Sequence, residues 1–135
     1  MIRSMEPSDR PTVRALQREL AYAGPELVDA AIDGPFVGIV AHRGDRVVGY
    51  AIAFPGRPAT LSELVVAPDS RRAGHGRALV ESVVSTVEAD RVLVATPVGN
   101  EAAKEFYTAL GFDPDGIRSG FYADGTDALG FRRRE

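Results

Sequence analysis

The 135-residue chain has no cysteine and no tryptophan, two histidines, and one lysine, Lys104, among 16 basic residues. Without cysteine there can be no disulfide, no thiolate metal site and no covalent intermediate on sulfur. His42 and His75 are too few and too far apart in sequence to suggest a metal site, so no metal is expected. No apolar run approaches membrane-spanning length, and the first residues hold no signal-type apolar core. The expectation is therefore a cytoplasmic protein without a membrane partner. Internal repeats, linkers and low-complexity tracts are also missing, and the length suits one domain over residues 1–135. A net charge of −3 argues against nonspecific nucleic-acid binding, which makes any basic cluster local in purpose. What is present, 44% hydrophobic and 26% charged residues, is the balance of a globular chain with a packed core.

One stretch organises the rest, LSELVVAPDSRRAGHGRALVESVVSTVEA from Leu61 to Ala89. An apolar run, Leu64-Val65-Val66, ends at Pro68. A basic loop with two glycines follows, Arg71-Arg72-Ala73-Gly74-His75-Gly76. Apolar residues then recur at Leu79, Val80, Val83, Val84 and Val87, which is helical spacing. Strand, glycine loop and helix in this order present free backbone N–H groups and the positive end of a helix dipole to an anion. Gly74 and Gly76 permit close approach and unusual dihedrals, and Arg71, Arg72 and Arg77 add charge-assisted contacts. The spacing is neither that of a P-loop nor GxGxxG.

A second stretch reads Asn100-Glu-Ala-Ala103-Lys-Glu-Phe-Tyr107-Thr-Ala-Leu-Gly111-Phe112. Together with Arg71-x-x-Gly74-x-Gly76, it resembles the GNAT superfamily of N-acetyltransferases, whose signature is Q/R-x-x-G-x-G/A followed by N-x-x-A-x-x-x-Y-x-x-x-G-F. The Phe121-Tyr122-x-x-Gly125-x-Asp127-Ala128 segment is similar to the branch that acetylates the α-amino groups of ribosomal proteins. One position departs from that branch. Five residues ahead of the helix asparagine the branch carries a catalytic glutamate, and here stands Ala95.

Taken in order, Met1–Met5 reads as a short strand and Asp9–Leu20 as a helix, with Val13, Leu16 and Leu20 on one face. A shorter helix is expected around Glu26–Ile32. Phe36–Ala41 and Val47–Phe54 form a hairpin through Arg43-Gly44-Asp45-Arg46. Strands follow at Thr60–Ala67 and Arg91–Thr96, joined by a helix over Gly76–Ala89. The Asn100–Leu110 helix stops at Gly111, and two strands fill Phe112–Phe131 with a turn at Ala123-Asp124-Gly125-Thr126. Arg132-Arg133-Arg134 read as a solvated tail. The fold class is α/β, a GNAT-like mixed and mostly antiparallel sheet flanked by helices on both faces. The strands at Thr60–Ala67 and Arg91–Thr96 should run parallel and splay apart at their C-terminal ends.

The resemblance implies roles for particular residues. Main-chain groups of Leu64, Val65 and Val66 would pair with the pantetheine arm of acetyl-CoA, their side chains being ordinary core. Arg71, Arg72, Ala73, Gly74, His75, Gly76, Arg77 and Ala78 would wrap the pyrophosphate, His75 through its N–H. Asn100 is a good helix N-cap and would also contact the cofactor. Lys104 is a solvated helix charge or a phosphate contact. Tyr107 would be the general acid for the departing thiolate, or else a residue that packs beside Phe106. An ammonium acceptor must lose a proton before attack. Glu63 would take it, directly or through water, unless it is only a surface glutamate at a strand start. The cosubstrate implied is acetyl-CoA and the partner a small-molecule or peptide amine, with a homodimer left open. Three functions remain at this point. They are an N-acetyltransferase acting by direct attack, a noncatalytic acyl-CoA sensor, and a glycine-loop nucleotide binder disfavoured by the lack of a Mg²⁺-ligating residue after the loop.

Overall fold

A computed structural model describes residues 1–135. Its seven strands are β1 (Ile2–Ser4), β2 (Val37–Arg43), β3 (Arg46–Phe54), β4 (Ala59–Val66), β5 (Arg91–Pro97), β6 (Asp113–Arg118) and β7 (Ala128–Arg134). They form one sheet in the order β1-β2-β3-β4-β5-β7-β6. Every neighbouring pair is antiparallel except β4 and β5. The helices are α1 (Arg10–Leu16), α2 (Pro25–Asp33), α3 (His75–Val87) and α4 (Glu101–Ala109). No helix is long and apolar enough to cross a membrane.

Two apolar clusters cover the two faces of the sheet. Leu79, Val80 and Val83 of α3 and Tyr107 of α4 pack with Ile39, Ala51, Leu61, Val94 and Phe131. On the other face Val13 of α1 and Val28 and Ala31 of α2 pack with Val40, Tyr50, Ile52 and Val65. Helix spacing therefore does what the sequence pattern expects, burying one stripe of each helix. The first helix is shorter than its pattern, because its ends tighten into 3₁₀ turns at Pro7–Asp9 and Gln17–Glu19. Asp9 is buried there. It accepts hydrogen bonds from both Arg3 guanidinium nitrogens at 2.8 and 2.9 Å and from the Glu6 N–H at 2.8 Å. The Arg3 guanidinium holds its carboxyl below the usual range.

Two features of β4 place the site. Its parallel ladder with β5 covers only Ala59↔Val92, Thr60↔Leu93 and Leu61↔Val94, and beyond Leu61 the strands part. Its ladder with β3 slips at the same point, with Ile52 opposite Glu63 and Ala53 opposite Leu61, so Ser62 is the extra residue of a bulge. A bulge reverses the alternation of side chains. Leu61 packs on the α3–α4 face, whereas Val65 packs on the α1–α2 face, although the two are an even number of residues apart.

The arginines at the C-terminus are not a solvated tail. Arg132, Arg133 and Arg134 belong to β7 and pair with Leu93, Val92 and Arg91 of β5. The run lacks the alternation of apolar and polar residues that marks a strand, and Arg132 and Arg133 are half-buried whereas Arg134 is exposed. Arg133 bridges Glu81 of α3 at 2.7 Å, Glu135 at 2.8 Å and the Leu110 carbonyl at 3.0 Å. Its guanidinium sits 5.3 Å from the centre of the Phe112 ring. Arg133→Ala is expected to destabilise the fold by about 1.5–3 kcal/mol, the range for hydrogen bonds to a charged group. Urea unfolding measures it, and an unchanged midpoint would return the segment to the role of a tail.

Candidate active site

The loop that follows β4 presents unpartnered backbone donors at the start of α3. None of the backbone N–H groups from Arg72 to Arg77 donates to a carbonyl or side chain of the protein. Arg72 (φ 64°) and Gly74 (φ 84°) both adopt left-handed conformations in the turn that leads into α3. For Arg72 this geometry is unfavourable, and its presence at the loop marks a constrained segment. The free donors end at Arg77, because the Ala78 N–H already bonds to the Gly74 carbonyl at 3.0 Å. Ala78, expected to help wrap the anion, therefore belongs to the helix ladder, and Ala73 and Ala78 do not line the groove.

Gly76 is needed for a different reason from Gly74. Its backbone is not left-handed, and a Cβ there would lie 3.1 Å from the Phe106 ring. The glycine lets α3 and α4 approach closely. A β-branched residue at Gly76 would disturb that packing as well as anion approach, so Arg72 gives the cleaner test of the loop.

The loop opens into a groove of about 730 Å³ that runs along Leu64, Val65 and Val66 to Asn100 and Tyr107. At its inner end, by Leu64 and Tyr107, it reaches the β4 edge that β5 leaves unpaired. A second pocket of about 270 Å³ begins there, walled by Ser62, Glu63, Ala95, Thr96, Tyr22 and Tyr122. Glu19, Leu20, Leu64, Asn100, Ala103 and Tyr107 line both spaces, so this is where they join.

Tyr107 stands at the junction. It is 7% exposed, with its ring packed at an edge against Phe106 and Phe112. Its hydroxyl makes no hydrogen bond within the protein. Burial raises the phenol well above its ordinary value and Tyr122 adds to the effect, so the group keeps its proton at neutral pH. Asn100 caps α4 by accepting from the Ala103 N–H at 3.1 Å, and it also faces the junction. Lys104 pairs with Glu101 at 2.9 Å and lines neither space. His75 opens α3 and lines the groove.

Glu63 is not the surface residue that its place in the sequence allowed. The bulge turns it inward, and it is 5% exposed. Oε1 accepts from Gln17 Nε2 at 2.9 Å and from the Tyr50 hydroxyl at 2.8 Å, while Oε2 accepts from the Gly24 N–H at 2.7 Å. These bonds fasten the segment between α1 and α2 to the centre of the sheet. These donors fill three of the carboxylate's four lone-pair sites and leave one free on Oε2.

Several residues of the site carried no sequence signal. The segment after α1 supplies Glu19, Leu20 and Tyr22; periodicity marks only Leu20, as an apolar residue of the expected first helix, and no motif announces Glu19 or Tyr22. Tyr22 stacks on Tyr122 with ring centres 4.1 Å apart, and its hydroxyl donates to Asp124 at 2.7 Å. The stack bridges the α1–α2 segment and the β6–β7 loop beside the smaller pocket. Of this pair only Tyr122 falls in a segment with a sequence signal, the C-terminal resemblance.

With this geometry in hand, comparison with known proteins is decisive at the level of family. Residues 4–112 match the profile of the acetyltransferase (GNAT) family. The chain belongs to that family. It is 30% identical over 127 residues to the [ribosomal protein bS18]-alanine N-acetyltransferase of Escherichia coli strain K12, covering 90% of this chain and 86% of that enzyme. The crystal structure of the ribosomal-protein-S18-alanine N-acetyltransferase from Escherichia coli superposes with a TM-score of 0.84 at 25% identity. That match spans 99% of this chain and 92% of the other. The mycothiol acetyltransferase of Clavibacter michiganensis is 33% identical over 81 residues, but this GNAT chain spans only 26% of its length.

Acetyl-CoA, the donor its family implies, fits the residues present. The unpartnered N–H groups and the arginines at the loop suit its phosphates, and the separated strand ends suit a narrow arm. Arg72→Ala removes one charge from an exposed position, so it should weaken acetyl-CoA binding by about 1.5–3 kcal/mol. Thermal stability should hardly change. Isothermal titration calorimetry reads the affinity, and an unaltered value would separate the arginine from phosphate binding.

Proposed function

We propose that this GNAT chain is an N-acetyltransferase that moves the acetyl group of acetyl-CoA to a primary amine by direct attack, with both substrates bound together. One observation carries the reading. The large groove and the small pocket meet at the parted ends of β4 and β5, where the Tyr107 hydroxyl lacks a protein partner. A thioester delivered along the groove and an amine delivered through the pocket reach one another there, which removes the entropic cost of bringing them together. Likeness to the bS18-alanine enzyme over most of both chains supports an N-terminal α-amino group as acceptor.

The residues divide the work. The 72–77 loop anchors the phosphates, the β4 backbone from Leu64 to Val66 aligns the arm, and Asn100 fixes the start of α4. Tyr107 donates a proton to the sulfur as the C–S bond breaks. A thiol analogous to cysteine has a pKa of about 8.5, so the thiolate can leave unaided and the acid accelerates its departure rather than enabling it. No cysteine is available, so an acyl-enzyme on sulfur is excluded.

A noncatalytic acyl-CoA sensor is the second reading, favoured by Ala95 at the place of the branch's glutamate. Thiol release separates the two when it is followed with alanine-terminated peptides, polyamines, amino acids and aminoglycosides. Release that depends on one acceptor class supports transfer, whereas binding of acetyl-CoA without release to any class supports the sensor. Within the transfer reading, Tyr107→Phe keeps the ring and loses the hydroxyl. It should lower kcat by about 10²-fold, with acetyl-CoA affinity and melting temperature little changed. Activity within about two-fold of wild type would mean that Tyr107 only packs.

A further inference from the structure

Transfer to an amine requires something to receive the ammonium proton, and the usual candidates are unsuitable here. Ala95 has no side chain that could. Glu63 lines the small pocket, but Gln17, Tyr50 and the Gly24 N–H take three of its four lone-pair sites and hold it as an anchor between the sheet and the α1–α2 segment. One other carboxylate borders the small pocket, Glu19, and it is also the only carboxylate that lines the large groove. It closes the 3₁₀ turn Gln17–Glu19, which Gln17 ties to Glu63 and so to the sheet. Its only partner is Arg71, 3.6 Å away in an ion pair with both side chains substantially exposed. Such a pair is worth little, and Arg71 belongs to the loop that receives the phosphates of the donor. Bound phosphates would compete for Arg71 and leave Glu19 to the amine.

We infer that Glu19, not Glu63, is the catalytic group that binds the acceptor ammonium and takes its proton, facing Tyr107 across the junction of the two spaces. Glu63 then acts as a positioning residue, holding the turn that presents Glu19. The inference rests on the transfer reading above. In the step itself the ammonium proton passes to the Glu19 carboxylate, and the freed lone pair forms the N–C bond to the acetyl carbonyl. The C–S bond breaks with its electron pair going to sulfur, which takes the Tyr107 proton. The second proton lost by the nitrogen restores Tyr107, and Glu19 releases its own to solvent. The sum is an ammonium and a thioester giving an amide, a thiol and one proton.

The test uses two acceptor probes. One is an alanine-terminated peptide, mostly an ammonium at neutral pH. The other is the same peptide with an aminooxyacetyl terminus, whose nitrogen is already unprotonated. Glu19→Gln should reduce kcat/KM for the alanyl peptide by about 10²-fold and for the aminooxy peptide by less than about 3-fold. Glu19→Asp should recover part of the loss. Titration of the alanyl peptide into the CoA complex, where nothing turns over, should show about 10-fold weaker binding for Glu19→Gln, the effect of losing a charged hydrogen bond. Glu63→Gln should instead lower the melting temperature and penalise both probes alike. Equal losses on both probes for Glu19→Gln, or no loss on either, would overturn the inference while leaving the transfer reading intact. If the wild-type protein acetylates neither probe, the peptide-acceptor reading fails and the inference falls with it.

Discussion

The parallel ladder between β4 and β5 stops after Leu61 and Val94, and most of the functional geometry depends on that interruption. A continuous ladder would pair the β4 backbone on both sides and close the sheet across the site. With the ladder broken, the β4 edge beyond Leu61 is free, and the gap joins the groove on one side to the pocket on the other. The bulge at Ser62 belongs to the same disturbance. Sheets tolerate such a break only when the flanking structure is well fastened. Here β3 holds β4 from one side, while β7 runs the length of β5 from the other.

The bulge also decides what Glu63 does. By turning the side chain toward α1 and α2, it places a carboxylate in the interior, where an unpaired charge would be costly. Gln17, Tyr50 and the Gly24 N–H satisfy it. Tyr50 keeps its proton because burial and the neighbouring carboxylate both raise its pKa. One polar cluster thus links the broken strand to the segment that forms the wall of the small pocket. On the proposed reading, donor binding would fall to a loop whose donors are backbone groups, and acceptor binding to a segment held by side chains.

What the sequence made legible was mostly local. Gly74 is demanded by a left-handed turn, Asn100 by a helix cap and Gly111 by a helix end at φ 88°, and each declares itself within a few residues. The strands and helices followed from the sequence pattern to within one or two residues, apart from the shortened first helix and the last two strands, where β6 stops at Arg118 and β7 runs on to Arg134. The illegible parts depend on distant partners. Glu63 meets groups 46, 39 and 13 residues away, so nothing near it in the chain distinguishes a buried anchor from a surface carboxylate. The even spacing of Leu61, Glu63 and Val65 suggests one shared face, which the bulge breaks. Arg132–Arg134 look like a tail until Glu81 and the Leu110 carbonyl supply partners for Arg133. Glu19 falls on the polar side of the expected first helix and Tyr22 just beyond it, and only the arrival of α4 and the β6–β7 loop beside them gives them a place.

The central claim is that the broken ladder and the loop after it form the donor site through backbone N–H groups. Hydrogen–deuterium exchange of the protein with and without CoA tests this most directly, because it reads those groups themselves. The account predicts strong added protection in residues 64–66 and 72–77, with β1, β2 and β6 unchanged. Protection confined to other elements, or binding that leaves both segments exchanging as in the free protein, would contradict it.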